Sequence, residues 1–283
     1  MFSVEQADIK ENPRQRRNYV YLEHTQSLCS KCLRVVDAKI IRTDDKKIVL
    51  RKWCAEHGFE SCLLHSDADW YLHAQKYNRP GDIPLKFPTE VERGCPYDCG
   101  VCPDHEQHMC LGLIDLTDDC NLACPTCFSD SKGSAYLTMD QVKASLDGFI
   151  EQEGVGAVIQ FSGGEPTMHP QIVEAVKEAV DRPTEVVMIN TNGIKFAQDE
   201  DLIKRLVDVS ENKLEIYLQF DGFTDEVHQK IRGAKLVDIK MKAIENMLKH
   251  GLPINLAAVI QRGVNEDQVG KIVEFGIETK GIR

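Results

Sequence analysis

The sequence predicts an α/β protein in which a parallel sheet with crossover helices follows a small cysteine-rich region. After residue 110, short apolar runs alternate with amphipathic stretches, which is the pattern of strands joined by crossover helices. Before residue 110, long periodic segments are lacking and cysteines recur about every ten residues. We therefore expect two domains, a metal-binding region over residues 1–110 and a sheet domain over residues 111–283.

The first cysteine group consists of two short motifs. Cys29-Ser-Lys-Cys32 is a CxxC motif, and Cys54-Ala-Glu-His57 is a CxxH motif. Paired knuckles of this kind bring four ligands into a tetrahedron around zinc or a mononuclear iron. In the alternative, His57 is a surface histidine and Cys62 is the fourth ligand.

The second group has the spacing CxxxCxxC and a further cysteine ahead of the first strand. Four thiolates are the full complement of a closed auxiliary 4Fe-4S cluster. In the alternative, the first three hold a cluster with one open iron, and two histidines of the same loop, His105 and His108, are runner-up ligands. The four cysteines are Cys95, Cys99, Cys102 and Cys110.

Five strands are expected in the sheet domain. Each is rich in Val, Ile and Leu, as burial on both faces requires. The expected ranges are 111–117, 157–162, 185–191, 214–220 and 254–260.

Helices are expected between these strands. Thr138 and Gln141 form a capping-box pattern, and Pro170 suits the first turn of the following helix. Apolar residues at helical spacing predict the buried faces. These faces are Val142, Leu146, Phe149 and Ile150, then Ile172, Val173, Val176 and Val180, then Leu202, Ile203, Leu206 and Val207, and finally Ile244, Met247 and Leu248.

Candidate chemistry lies in the loops after the first two strands. Cys120, Cys124 and Cys127 follow the first strand, and Gly163-Gly-Glu-Pro166 follows the second. In such a fold these loops share one edge of the sheet. Three thiolates on a 4Fe-4S cluster leave one iron open to bind a ligand, and the two glycines allow close approach of the backbone to that ligand.

Polar side chains also end the third and fourth strands. Asn192 follows the third strand and Asp221 follows the fourth. Both could face the same edge and bind ribose, carboxylate or substrate. Asn-Gly and Asp-Gly are equally ordinary turn sequences, so a purely structural role is the alternative.

The cysteine triad, the Gly-Gly-Glu-Pro loop and the strand-helix repeats resemble the radical S-adenosylmethionine (SAM) superfamily over residues 111–283. The resemblance implies a partial (β/α)6 barrel of the TIM type, with about five units present. It implies that the triad holds a 4Fe-4S cluster whose open iron is chelated by SAM. It further implies SAM contacts at Gly163, Gly164, Glu165 and Pro166, and at Gln261, Arg262 and Asn265 after the fifth strand.

Two features depart from the family pattern. Thr126 stands where many members carry an aromatic residue, and Phe128 follows the triad instead, so adenine packing is expected to differ. The sequence also stops at Arg283, where a sixth strand is expected to begin. We therefore expect the chain to be truncated there.

The order of knuckle pair, second cysteine cluster and SAM core is similar to the archaeal tetraether lipid synthases and the related dihydropterin methyltransferases. This similarity implies C-H activation that leads to carbon-carbon bond formation or methylation. The implied substrate is a small molecule such as a pterin, or a lipid. The implied partners are SAM and an electron donor such as ferredoxin or flavodoxin.

Composition restricts the other function classes. The net charge of −11 and pI near 5.3 argue against a nucleic-acid partner. No apolar run reaches the length of a membrane span, and 11 cysteines without a secretory signal indicate metal use in a cytoplasmic protein. Two alternatives remain open: an iron-sulfur electron carrier or redox sensor, and a zinc-ribbon interaction module without catalysis.

Overall fold

The computed structural model describes residues 17–79, 81, 83–103, 108–129 and 133–283. These form two compact units. The first contains the described residues up to 81 and from 89 to 103, and the second contains residues 83–88 and those from 108 onward. The division by contacts therefore falls slightly before residue 110, and the segment 83–88 belongs to the second unit.

The first unit contains a four-stranded antiparallel sheet in the order β1-β2-β3-β4. This sheet was not expected from the sequence. Apart from Cys54 at the end of β3, its buried apolar residues are only Ala38, Ile41 and Ile48, so the alternating pattern typical of strands is weak. Helix α1 follows at Ala68–Ala74. The strands are β1 Tyr19–Leu28, β2 Val35–Thr43, β3 Ile48–Cys54 and β4 Gly58–His65.

The second unit contains a five-stranded sheet whose strands are parallel and follow chain order. This confirms the predicted α/β class and the five strand-helix units. Because every strand runs the same way, all of their carboxyl ends meet at one edge. The strands are β5 Gly112–Thr117, β6 Ala157–Gly163, β7 Thr184–Thr191, β8 Leu214–Gln219 and β9 Ile254–Ala257.

Strand β9 is shorter than the predicted range 254–260. The reason lies in the hydrogen bonding of the following residues. The amide of Val259 donates to the carboxylate of Asp221 at 2.9 Å, a side chain and not a neighbouring strand. The chain therefore leaves the sheet after Ala257.

Helices connect the strands as predicted. They are α2 Met139–Glu153, α3 Ile172–Val180, α4 Ile194–Gln198, α5 Glu200–Val209, α6 Asp225–Arg232, α7 Val237–Lys249 and α8 Val269–Glu278. At the start of α2 the capping box is present, with the Gln141 amide donating to the Thr138 hydroxyl and the Thr138 amide donating to the Gln141 side chain. Pro170 lies two residues before α3 begins.

The core of the second unit lies between the sheet and these helices. Its strands contribute side chains with no exposed surface, such as Phe161, Ile189 and Ile216. The helices contribute the predicted faces, such as Leu146 and Leu206. These residues hold the sheet rigid and fix the positions of the loops at its carboxyl edge.

The free edge of β9 is paired at one point. The amide of Ile254 donates to the carbonyl of Gly281 at 3.0 Å, and the amide of Arg283 donates to the carbonyl of Ile254 at 2.8 Å. Ile282 thus forms a parallel bridge with Ile254. Among the described residues, no helix combines the length and apolar character needed to cross a bilayer.

Candidate functional site

A cleft of about 480 Å³ lies at the carboxyl edge of the parallel sheet. It is formed by the loops after β5, β6 and β7 and by the ends of β8, β9 and α6. The structure brings the cysteine triad and the glycine loop to this one place, as their positions after parallel strands predicted. Its lining residues are Cys120, Leu122, Ala123, Cys124, Thr126, Cys127, Phe128, Ser129, Ser162, Gly163, Gly164, Glu165, Asn190, Asn192, Gln219, Arg232 and Val259.

Two glycines let the loop after β6 pack against the loop after β5. A Cβ atom on Gly163, whose φ is 121°, would lie 2.2 Å from the carbonyl oxygen of Thr117. A Cβ on Gly164 would lie 2.3 Å from that of Asp119. The sequence predicts that these glycines let the backbone approach a ligand. In the structure they also let the backbone approach the end of β5 and the cysteine loop.

The cysteine loop is held by hydrogen bonds at several points. The amide of Glu165 donates to the carbonyl of Asp119 at 2.8 Å. The Asn192 side chain donates to that of Asn121 at 2.6 Å, and the Thr126 hydroxyl donates to the carbonyl of Ile231 at 3.0 Å. The loop that carries the thiols is thus fixed by the protein's own hydrogen bonds to residues after β6 and β7 and in α6.

The three thiols differ in their surroundings. Cys120 and Cys124 are half-buried and Cys127 is exposed. Burial raises the pKa of the Cys120 thiol, and the nearby Glu165 carboxylate adds to the rise. Burial also raises the pKa of Cys124, against a hydrogen bond and the positive charge of Arg232. A positive ligand or metal cluster would be needed to keep these sulfurs as thiolates at neutral pH.

Glu165 lies inside the protein, and the residue is only 1% exposed. It accepts hydrogen bonds from the hydroxyls of Thr167 and Thr191 at 2.6 and 2.7 Å, and from the amide of Asn192 at 2.7 Å. Burial raises the pKa of this carboxyl, and the hydrogen bonds oppose the rise. Glu165 therefore joins the ends of β6 and β7, and Pro166 beside it is buried as well.

Arg232 is a residue of the cleft that the sequence analysis missed. It ends α6, and its guanidinium forms two hydrogen bonds with the Asp221 carboxylate, at 2.6 and 2.9 Å. A third hydrogen bond, to Gln219, measures 2.7 Å. Asp221 is fully buried, so its role in the structure is to hold Arg232 beside Cys124. No local pattern in the sequence marks this arginine, since its partners lie 11 and more residues away.

Lys240 is a second cation missed by the sequence analysis. It lies on α7 with no exposed surface, and its ammonium group donates to the main-chain carbonyl of Asn192 at 2.5 Å. Burial, together with the charge of Arg232, lowers the pKa of Lys240 to about 8. Lys240 therefore places a second positive charge next to Asn192, the first residue after β7.

The residues predicted after the fifth strand do not line the cleft. Gln261 and Arg262 lie in an exposed turn. Asn265 is fully buried, and its side chain donates to the carbonyls of Asp221 and Val259, both at 2.8 Å. The structure thus gives Asn265 a role in shaping this turn, and the ligand contacts of the three residues stay predictions.

The knuckle pair of the first unit is brought together. Ligand atoms of Cys29, Cys32, Cys54 and His57 all lie within 4.8 Å of one another. The Cys32 and Cys54 sulfurs are 3.8 Å apart, and the His57 Nδ1 is 3.5 Å from the sulfurs of Cys29 and Cys54.

These separations fit a tetrahedral zinc ion. Zinc bonds of about 2.3 Å to sulfur and about 2.0–2.1 Å to nitrogen place sulfurs about 3.8 Å apart and sulfur and nitrogen about 3.6 Å apart. Amides of Cys32 and Lys31 lower the pKa of Cys29 to about 6, which favours the thiolate that zinc requires. Cys62 is exposed on β4 and does not belong to this group.

The second cysteine group is divided between the two units. Cys95 and Cys99 are exposed and Cys102 is half-buried in the first unit, and Cys110 is exposed in the second. Among the residues that the structure describes, the knuckle tetrad is the one ligand group within 4.8 Å. The assignment of an auxiliary cluster therefore stays a prediction.

The roles of the two histidines near these cysteines as runner-up ligands stay predictions. His108 bonds through Nδ1 to the Glu153 carboxylate on α2, at 3.0 Å. His105 lies outside the described residues.

Comparison with known proteins gives two matches to family models. The model described as the Radical SAM superfamily matches residues 114–276, and the model described as the HMPTM N-terminal zinc ribbon domain matches residues 21–66. The second range contains the whole knuckle tetrad.

Curated relatives match over much of the chain. The 7,8-dihydro-6-hydroxymethylpterin dimethyltransferase of Methanocaldococcus jannaschii is 37% identical over 258 residues, which cover 90% of this chain and 50% of the relative. The probable GTP 3',8-cyclase of Pyrococcus horikoshii is 26% identical over 172 residues, covering 60% of this chain and 53% of the relative. The chain spans about half the length of these relatives.

A solved structure shares the fold. The crystal structure of Streptococcus suis SuiB bound to precursor peptide SuiA gives a TM-score of 0.50 at 15% identity, covering 83% of this chain and 58% of that one.

Proposed function

Because the chain belongs to the radical SAM superfamily, we propose that it binds a 4Fe-4S cluster through Cys120, Cys124 and Cys127 and cleaves SAM reductively. The observation that carries this proposal is the placement of all three thiols with Gly163 and Gly164 in one cleft at the carboxyl edge of the parallel sheet. The alternative of an electron carrier without SAM chemistry requires four ligands per cluster, and the cleft offers three cysteines.

The donor set fits such a cluster. Cysteine thiolates are the ligands of 4Fe-4S clusters. The three cysteines line one cleft, so their thiols can serve one cluster together. Cys120, Cys124 and Cys127 would hold the cluster, which would supply the electron for reductive cleavage of the sulfonium C-S bond of SAM to methionine and a 5'-deoxyadenosyl radical.

The protein's own residues prepare the cleft for this ligand pair. The amide of Gly164 donates to the carbonyl of Thr117 at the end of β5, and the amide of Glu165 donates to that of Asp119 in the cysteine loop. These amides are already paired, so an ammonium group would be recognised by carbonyl oxygens there. Arg232 supplies a fixed positive charge beside Cys124. Glu165 and Asn192 join the loops after β5, β6 and β7 around this cleft.

We propose a methyl-transferring reaction on a reduced pterin as the overall activity. The proposal is supported by the 37% identity to a 7,8-dihydro-6-hydroxymethylpterin dimethyltransferase and by the zinc ribbon model that matches residues 21–66. Carbon-carbon bond formation on a lipid, which the sequence analysis kept beside it, and an electron donor such as ferredoxin or flavodoxin, stay predictions.

We further propose zinc at Cys29, Cys32, Cys54 and His57, in a structural role. All four positions are filled by protein ligands, which is the pattern of structural rather than catalytic zinc sites. An auxiliary 4Fe-4S cluster at Cys95, Cys99, Cys102 and Cys110 is proposed from their spacing alone.

The test is anaerobic reconstitution with iron and sulfide, reduction with dithionite and measurement of 5'-deoxyadenosine from added SAM. We expect cleavage in the wild-type chain and none in Cys124→Ala, with a loss of about four irons per chain. The matched control is Cys62→Ala, because Cys62 is exposed and outside the ligand sets. Cleavage retained in Cys124→Ala would refute the site.

The substrate is tested separately, by adding 7,8-dihydro-6-hydroxymethylpterin to the reconstituted protein and following its mass. We expect a gain of one or two methyl groups that depends on SAM and on Cys124. Formation of 5'-deoxyadenosine without any change in the pterin would retain the radical chemistry and exclude this substrate.

A further inference from the structure

One face of the four-stranded sheet in the first unit carries a cavity of about 710 Å³. Lys39 and Arg51 are direct cross-strand partners, as are Trp53 and Phe59. Arg51 and Trp53 are two residues apart on β3, so all four side chains lie on the same face. All four line the cavity.

Three cations on this face surround a single aromatic ring. The Lys39 ammonium lies 5.0 Å from the centre of the Tyr19 ring, and the guanidinium carbons of Arg51 and Arg17 lie 5.1 and 5.9 Å from it. Lys39 also donates to the Tyr19 hydroxyl at 2.9 Å. The ring faces attract the cations, but the cations repel one another, and Lys39 and Arg51 stand directly opposite.

Two acidic residues, Asp37 and Glu60, also line the cavity, and each contacts a residue other than Lys39 and Arg51. Asp37 pairs with His24 at 3.6 Å, and Glu60 pairs with Lys52 at 3.5 Å and accepts from the Ser30 amide. Within the part of the chain that the structure describes, neither Lys39 nor Arg51 has a carboxylate within 4.0 Å. Asp37 lies two residues from Lys39 on β2 and so on the same face, where the two cations Lys39 and Arg51 outnumber it. The face therefore keeps an excess of positive charge that an anion would neutralise.

Two aromatic side chains border these cations and are open to solvent. Trp53 is 52% exposed and Phe59 is 86% exposed, and their ring centres are 6.4 Å apart. Exposing two large apolar rings side by side is unfavourable unless a ligand covers them. Flat heteroaromatic rings stack well on such side chains.

Local charge differs from that of the whole chain. Residues 17–79 contain 11 Lys and Arg against eight Asp and Glu, whereas the full chain has a net charge of −11. The acidic total, from which we expected no nucleic-acid partner, does not describe this face.

We propose that this face binds a nucleoside phosphate, with Lys39 and Arg51 contacting the phosphate and Trp53 and Phe59 stacking on the base. The cation pair and the ring pair are two residues apart along β3, which is about 6.6–6.8 Å. This spacing is comparable to that between a base and its phosphate. The same chemistry is offered by a free nucleotide and by a single-stranded nucleic acid. The site lies in the first unit and is independent of the proposed SAM cleavage.

The test uses the fluorescence of Trp53. The chain has two tryptophans, so Trp70→Phe in the otherwise intact, metal-loaded protein leaves Trp53 as the reporter. ATP, AMP, adenosine and inorganic phosphate are titrated with S-adenosylhomocysteine present at saturation, which blocks adenine binding in the SAM cleft. We expect ATP to quench Trp53 and to bind at least tenfold more tightly than adenosine or phosphate.

Variants test whether ATP binds at this face of the four-stranded sheet. Lys39→Met with Arg51→Met is expected to weaken ATP binding at least tenfold, and Phe59→Ala roughly tenfold. Lys47→Ala is the matched control, because this lysine of the same unit pairs with Asp45 and does not line the cavity. It should leave binding unchanged.

A ten-nucleotide single strand of uridines distinguishes a free nucleotide from a single-stranded nucleic acid as the ligand. Tighter binding than that of ATP identifies a nucleic acid as the ligand, and equal or weaker binding identifies a free nucleotide. Equal affinity for ATP and adenosine, unchanged binding in the double variant, or no response of Trp53 to millimolar ATP would each overturn the proposal.

Discussion

At the scale of single residues, the cleft depends on positions that tolerate no extra atoms and on buried charged groups. Gly164 has its missing Cβ position 2.3 Å from the Asp119 carbonyl. Glu165 has four donors around one buried carboxylate. Lys240 has no exposed surface at all. Each residue acts on the cysteine loop without being a metal ligand.

Gly164→Ala is expected to displace the cysteine loop. The added methyl group cannot fit, so we expect a loss of about 1–3 kcal/mol in the free energy of unfolding and less iron bound at the triad. Urea unfolding and iron per chain measure the two effects. Gly148→Ala is the control, since a Cβ there meets nothing within 4 Å in helix α2, and it should be neutral or stabilising by up to about 1 kcal/mol. Similar behaviour of the two variants would contradict the packing argument.

Lys240 makes stability depend on pH. Its pKa is lowered from 10.5 to about 8, so between these values the unfolded chain binds more protons than the folded one. The free energy of unfolding therefore rises with pH across this window. We expect the wild type to gain up to about 3 kcal/mol relative to Lys240→Met between about pH 8 and 10.5, measured by urea unfolding. Parallel pH curves for the two proteins would show that the ammonium is not destabilised by burial.

At the scale of elements, α6 connects the cysteine loop to the end of β8. Its last residue, Arg232, bonds to Gln219 and Asp221 after β8 and lies beside Cys124. Its penultimate carbonyl, that of Ile231, accepts from the Thr126 hydroxyl. Thr126 thus fastens the helix end at the position where an aromatic residue was expected from the family pattern.

Thr126→Val tests this connection, because the change keeps the shape of the side chain and removes its hydroxyl. We expect a loss of about 1 kcal/mol in stability and faster loss of iron to a chelator, since α6 and Arg232 are no longer fixed to the loop. Thr25→Val on the exposed strand β1, whose hydroxyl bond measures 3.5 Å, should change stability by less than about 0.5 kcal/mol. An unchanged rate of iron loss in Thr126→Val would remove the proposed role of this hydroxyl.

At the scale of the whole molecule, the two units have different sources of stability. The second has an extensive apolar core between a parallel sheet and its helices. The first buries few apolar side chains, so the metal tetrad must contribute much of its folding free energy.

His57→Ala is expected to unfold the first unit alone. Hydrogen exchange followed by mass spectrometry should show amides of β1–β4 losing protection, while those of β5–β9 keep theirs. Cys62→Ser, which removes an exposed thiol outside the tetrad, should leave both sheets protected. Protection of β1–β4 that survives in His57→Ala would mean that the sheet folds without its metal.

The sequence by itself determined the features that depend on local pattern. Alternating apolar runs predicted the five parallel strands, Thr138 and Gln141 predicted a capping box that is present, and cysteine spacing predicted the knuckle tetrad with His57. The order of strand and loop also placed the triad beside Gly163 and Gly164. These signals are readable because each comes from residues close in the chain, or from a rule that all parallel strands obey.

Only the tertiary structure decided which distant residues meet. It placed Arg232 beside Cys124, Lys240 beneath Asn192 and Glu165 in the interior, and it left Gln261 and Arg262 outside the cleft. It also revealed the sheet of the first unit, whose few buried residues give no clear period. Charge pairing and close packing depend on distances in space between residues far apart in the chain, and such distances exist only once the sheet has formed.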